Sequence, residues 1–156
     1  MSDSILKTDF NDGLLYDWNI YHLHLTKQFR TDGFAKRSNY ELFVYLTEDT
    51  TYFIQVYSHN KKNLYSTEDM VRIIYDNWSH LIEKNRITSA IRLSEEIDDE
   101  AYGKLRKANM TTFVQIRENE IFGLIDGGYM SNGFSTEALR NANHLLRCDL
   151  QEHLAL

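Results

Sequence analysis

Residues 40–57 read Tyr40-Glu41-Leu42-Phe43-Val44-Tyr45-Leu46-Thr47-Glu48-Asp49-Thr50-Thr51-Tyr52-Phe53-Ile54-Gln55-Val56-Tyr57. Two runs rich in aromatic and β-branched side chains, Tyr40–Leu46 and Thr51–Tyr57, flank the polar turn Thr47–Thr50, the pattern of an antiparallel hairpin. Upstream, Asn19–Thr26 alternates as a third strand, separated from the hairpin by a loop over 27–39 that holds Gly33. Downstream, Ser66 and Asp69 resemble a capping box. Met70, Val71, Ile74, Trp78, Leu81 and Ile82 then form one apolar stripe at helical spacing. A short helix over 98–107, strands over 112–117 and 121–125 joined by the turn Glu118-Asn119-Glu120, and a final helix over 136–153 complete the series. The fold class implied is α+β: an antiparallel sheet with helices packed on one face.

The chain has 156 residues, 42% hydrophobic and 13% aromatic, enough for one core and short for two, so one domain over 1–156 is expected. There is no proline, which leaves turns to Gly, Asn and Asp. Met1–Thr8 lacks a signal-peptide apolar run, and no stretch approaches the ~18 apolar residues of a membrane span. A cytoplasmic protein with no membrane association is the expectation. The single cysteine, Cys148, excludes an intrachain disulfide and a cysteine-rich zinc site, and its helical setting reads as an inert buried thiol.

Net charge is −6 and the isoelectric point about 5.5, against a general nucleic-acid coating role. The charge is uneven. Residues 27–62 carry Lys27, Arg30, Lys36, Arg37, Lys61 and Lys62 against four acids, whereas Glu95, Glu96, Asp98, Asp99 and Glu100 crowd a solvated helix start.

Within the first strand, Tyr21-His22-Leu23-His24-Leu25 puts both imidazoles on one face and the apolar side chains on the other. Histidine titrates near neutral pH and ligates metals, so a same-face pair points to proton transfer or ligand binding. His59, at the end of the third strand, joins them if strand order brings those ends together. Three neutral imidazoles would suffice for a catalytic zinc, but no carboxylate or cysteine with ligand spacing accompanies them. The chain is therefore read as free of metal and cofactor. His80, His144 and His153 lie off their helices' apolar stripes and carry no expected role.

The run from Arg37 through Tyr45, the turn Thr47–Thr50, and Tyr52-Phe53-Ile54-Gln55-Val56-Tyr57-Ser58-His59 together resemble the end of the RelE/YoeB-type ribonuclease toxins. The resemblance covers about 25 of the 156 residues. It implies RNA as substrate, an antitoxin or target protein as partner, Arg37 stabilising a phosphate and His59 protonating a leaving oxygen. The pattern Asp-Trp-x-Ile-x-His-Leu-His-Leu from Asp17, with the Leu-Phe-Val strand and Asn77-Trp78, also resembles an uncharacterised bacterial family and implies no function.

Metal-independent RNA cleavage needs a base for the 2′-hydroxyl, a cation at the phosphate and an acid for the 5′ oxygen. His22 or His24, Arg37 and His59 are the candidate catalytic residues. Lys36, Tyr57 and Lys61 are the candidate substrate-binding residues, with Tyr57 able to stack on a base. The competing reading is a non-enzymatic inhibitor or adaptor of a phage–host or defence system, whose acidic surface engages a basic protein. A third candidate is the glycine-rich stretch from Asp126 to Thr136, where a helix start could bind a phosphate, although its spacing fits an ordinary strand-to-helix connection with Ser135 or Thr136 as N-cap.

Overall fold

The computed structural model describes residues 12–89, 92–95, 97–108, 110, 112–125, 127–130 and 134–154, with the backbone alone over 147–154. The chain opens with a six-residue helix, α1 (Gly13–Trp18), capped by the Asp12 side chain accepting from Leu15 N–H at 3.1 Å. Sequence periodicity passed over it because six residues are too few to display a 3.6-residue repeat. It stops at Asn19, a residue tolerant of the left-handed backbone it adopts there, φ 54°.

Strand β1 (Ile20–His24) follows, then β2 (Tyr40–Leu46) and β3 (Thr51–Ser58), forming an antiparallel sheet in the order β1-β2-β3. The sheet has a chemically distinct inner face: Ile20, Phe43, Tyr45 and Ile54 enter the core. A bulge in β3 opposite Phe43 and Val44 lets Tyr52, Ile54 and Tyr57 all pack inward although strict alternation would separate Tyr52 from Tyr57.

Helix α2 (Asp69–Trp78) lays Met70, Val71 and Ile74 on that face, and the stripe continues through 3₁₀ turns to Leu81 and Ile82. Each such side chain gains about 1.5–3 kcal/mol from leaving water. The expected Ser66/Asp69 capping box does not form. Ser66 Oγ instead donates to the Asp99 carbonyl, and the Glu68 N–H at the helix start donates to the Asp99 carboxylate at 3.0 Å. A tertiary contact has displaced the local one.

Helix α3 (Asp99–Lys107) starts where the acidic run predicts it, with Asp98 accepting from Ala101 N–H and Asp99 and Glu100 in the first turn. Glu96 lies outside the described residues. Strands β4 (Val114–Arg117) and β5 (Glu120–Phe122) make a separate two-stranded sheet. The second is shorter than its apolar run, because Gly123 and Ile125 turn their N–H groups to Asn85 O and Asp17 O. The last helix, α4 (Thr136–Leu154), begins at Ser135, whose Oγ accepts from Ala138 N–H. The side chains of Cys148 and His153 lie outside the described part. The architecture is α+β with antiparallel sheets, and among the described residues no helix is long and apolar enough to cross a membrane.

One buried ion pair joins the helices. Arg106 Nε of α3 donates to Asp17 Oδ2 of α1 at 2.5 Å, with side chains 14% and 4% exposed. Tyr102 OH donates to the same carboxylate, and Trp18 Nε1 donates to Tyr102 OH at 3.3 Å. Arg106→Met strands a buried carboxylate and should destabilise the protein by about 3–5 kcal/mol in urea unfolding. A loss below 1 kcal/mol would mean that the pair is not the joint described.

Candidate acid–base site

His22 and His24 lie on the inner face of β1, as alternation requires. Across the ladder His24 stands opposite Glu41 of β2, and Glu41 stands opposite Tyr57 of β3, with His59 just past the end of that strand. The central strand thus carries a carboxylate between two outer strands that each contribute an imidazole. His24 Nδ1 and His59 Nδ1 both lie 3.4 Å from Glu41 Oε1. Tyr65, from a 3₁₀ turn at 64–66, donates its hydroxyl to Glu41 Oε2 at 2.7 Å and lies 3.2 Å from His59 Nδ1. His22 is directed to Asp12, with Nδ1 3.4 Å from its carboxylate, and its ring meets Tyr65 edge-on at 5.5 Å.

The proton inventory orders this cluster. Tyr65 has one proton and gives it to Glu41, so a hydrogen bond between Tyr65 and His59 must run from His59 Nδ1–H to the phenolic oxygen. Neutral His59 then carries its free lone pair on Nε2. Burial, the bond to Glu41 and the Glu41 charge push the Tyr65 pKa well above that of a free phenol, which keeps Tyr65 a donor.

Exposure separates the histidines. The Glu41 and His24 side chains are 1% and 4% exposed, whereas that of His59 is 37% exposed. His24 Nδ1 is buried without an aligned hydrogen bond. Burial holds its pKa below the ordinary imidazole range, with Glu41 opposing and His22 and His59 assisting. His59 faces solvent, and His24 backs the cluster.

Arg37 is exposed in the loop before β2, near enough for its charge to oppose the rise in the Tyr65 pKa. Lys36 is exposed, with its backbone N–H on Gln28 O, and no described contact joins it to the cluster. Tyr57 and Lys61 are engaged nearby: Lys61 Nζ lies 4.1 Å from the Tyr57 ring centre and 2.6 Å from Asp69, and Tyr57 packs edge-on against Phe43.

Sequence reasoning missed Glu41, Tyr65 and Asp12. Glu41 had a signal, a single carboxylate inside an otherwise apolar central strand; Tyr65 and Asp12 had none, being brought in by chain reversal. The carboxylate found missing from the sequence pattern is therefore supplied by the neighbouring strand. Among the described residues no group of three or more His, Cys, Asp or Glu is set to hold a metal ion. At the glycine-rich stretch, Thr136 N–H and Oγ1 donate to Gly128 O and Gly127 O, occupying donors an anion would need; residues 126 and 131–133 lie outside the described part.

Comparison with protein-family models, curated proteins and solved structures finds no match to this chain.

An unfolded histidine titrates near ~6.5, so below that pH the unfolded chain binds the proton that folded His24 resists. Stability should therefore fall as pH drops below about 6.5. His24→Asn should reduce this slope, measured as Tm against pH between neutrality and mild acid; an unchanged slope would show that His24 is not held neutral.

Proposed function

We propose that the cluster is the acid–base site of a metal-independent RNA-cleaving enzyme. The carrying observation is His59, half-exposed, with Nδ1 beside both the Glu41 carboxylate and the Tyr65 hydroxyl and Nε2 left to exchange a proton. An imidazole held in one tautomer by a buried carboxylate and a phenol is oriented for proton transfer. Arg37 supplies the cation for a phosphate, and the exposed basic residues of its loop suit a polyanion.

Cleavage proceeds by attack of the ribose 2′ oxygen on phosphorus. The 2′-hydroxyl proton passes to a base, the phosphorus–O5′ bond breaks, and O5′ takes a proton, leaving a 2′,3′-cyclic phosphate and a 5′-hydroxyl. His59 serves as the acid or base in contact with RNA, and Arg37 meets the charge that develops on the phosphoryl oxygens. His22, with a side chain 13% exposed, is the second proton-exchanging group, while His24, Glu41 and Tyr65 position and tune His59.

The chain should cleave single-stranded RNA in the presence of EDTA and leave the 2′-deoxy analogue intact. His59→Ala should lower the rate by about 10²–10⁴-fold, the range for a lost acid–base group. Arg37→Ala should also slow cleavage, and Tyr65→Phe should shift its pH profile. Absence of cleavage, or equal rates in wild type, His22→Ala, His24→Ala and His59→Ala, removes the proposal.

A second reading, a non-catalytic adaptor for a basic protein, has its own observation. The large cavity of about 850 Å³ lies away from the histidines, between α2, α3 and β4, and Glu68, Asp69, Asp98, Asp99, Glu100 and Glu118 are among its lining residues. A chain inactive on RNA that binds oligolysine in a salt-sensitive manner, weakened by Glu100→Gln and Glu118→Gln together, would favour it.

A further inference from the structure

The connection between β1 and β2 folds as a small two-stranded arm. Phe29 bridges to Ala35 in antiparallel fashion, with Arg30 N–H donating to Phe34 O at 2.8 Å and Lys36 N–H donating to Gln28 O at 2.9 Å. The tip closes through Gly33, whose N–H donates to Arg30 O at 3.1 Å and whose φ of 86° suits a residue without a side chain. Asp32 locks the same turn, accepting from Phe34 N–H at 3.2 Å and pairing with Arg30 at 2.6 Å. The arm has a fixed shape, so its side chains have fixed sides.

One side carries a bare aromatic ring among cations. The flanking bonds make Phe29 and Ala35 the kind of pair whose side chains approach most closely, yet Ala35 offers only a methyl group and Phe29 stays 66% exposed. By alternation Lys27 and Arg37, two residues from Phe29 and Ala35, fall to that same side. Both are exposed, as is Lys36. Asp32 is the one acid in 27–40, and Arg30 holds it. No ion pair with a described residue neutralises Lys27, Lys36 or Arg37. The arm is also rooted at the acid–base cluster: Asn39 O accepts from His59 N–H at 2.9 Å, and the Arg37 charge is felt at Tyr65. Four residues lead from Ala35 to Asn39, at most ~14 Å of extended chain, so a few nucleotides of single strand reach from the ring to His59.

We propose that this arm is the binding platform for single-stranded RNA, with Phe29 stacking on an unpaired base while Lys27 and Arg37 hold the phosphates beside it. RNA is the polymer named because the platform leads to the cleavage site proposed above, and the proposal rests on that reading. A phenyl face stacks on any base, so the arm selects for strandedness and not for sequence. A duplex keeps its bases stacked on one another and leaves the ring nothing to cover.

The probe is a short labelled single strand of 2′-O-methyl RNA, whose blocked 2′ oxygen cannot attack, bound to the full chain and followed by fluorescence anisotropy. Phe29→Ala should weaken binding about 5–150-fold, the range for one lost base stack, with unchanged far-ultraviolet circular dichroism because the ring is exposed; Phe29→Trp should restore it. On a strand of abasic residues the Phe29→Ala effect should vanish, while Lys27→Gln should weaken both strands alike and lessen the salt dependence. Equal affinities for wild type and Phe29→Ala, or an equal loss on the abasic strand, would overturn the platform whether or not RNA is cut. So would a wild-type chain that binds no single strand, including one that binds phosphatidylserine vesicles instead. Phe29-dependent binding in a chain that cuts no RNA would uphold the platform and remove the catalytic reading alone.

Discussion

A carboxylate buried near the start of the central strand, between His24 and Tyr57, is the constraint around which this molecule is arranged. Glu41 is 1% exposed, and an ionised carboxylate so placed is tolerable only with donors or opposite charges around it. Local sequence cannot provide them, because its strand neighbours are Tyr40 and Leu42, which face away. The donor is the Tyr65 hydroxyl, from the turn that follows β3, while the rings of His24, on one flanking strand, and His59, past the end of the other, stand 3.4 Å from the same carboxylate. Satisfying the buried charge and assembling the candidate site are one event.

The helix layer secures the most distant of these partners. Arg106, held by Asp17, also donates from its guanidinium to the Tyr65 carbonyl, so α1 and α3 jointly fix the turn that carries the phenol. Gly13 belongs to the same joint: a Cβ there would come within 2.7 Å of the Arg106 side chain. The core buried under α2 and the polar joint between α1 and α3 thereby bear on the position of one hydroxyl group.

Elements with strong local signals were legible. The hairpin of β2 and β3, the apolar stripe of α2, the acidic start of α3 and the Ser135 cap of α4 follow from alternation, periodicity and capping chemistry within a few residues. The short α1 was not, since its formation depends on Asp12 at one end, Asn19 at the other and burial of Leu14 and Trp18 against distant strands. The capping of α2 was misread for a related reason: Ser66 looked competent, but Asp99, thirty-three residues away, reached its hydroxyl, and Asp99 also took the Glu68 N–H.

The sequence by itself determined that His22 and His24 share a strand face, because the side-chain period of a strand is two and depends on nothing else. It also determined the antiparallel hairpin that places His59 at a strand end. Only the tertiary structure decided that β2 lies between β1 and β3, and hence that Glu41 stands between His24 and His59. Strand order depends on which faces the whole core buries together, and no local pattern encodes it. The same holds for exposure: identical imidazoles become a buried, charge-averse His24 and a solvent-facing His59 through what packs over them.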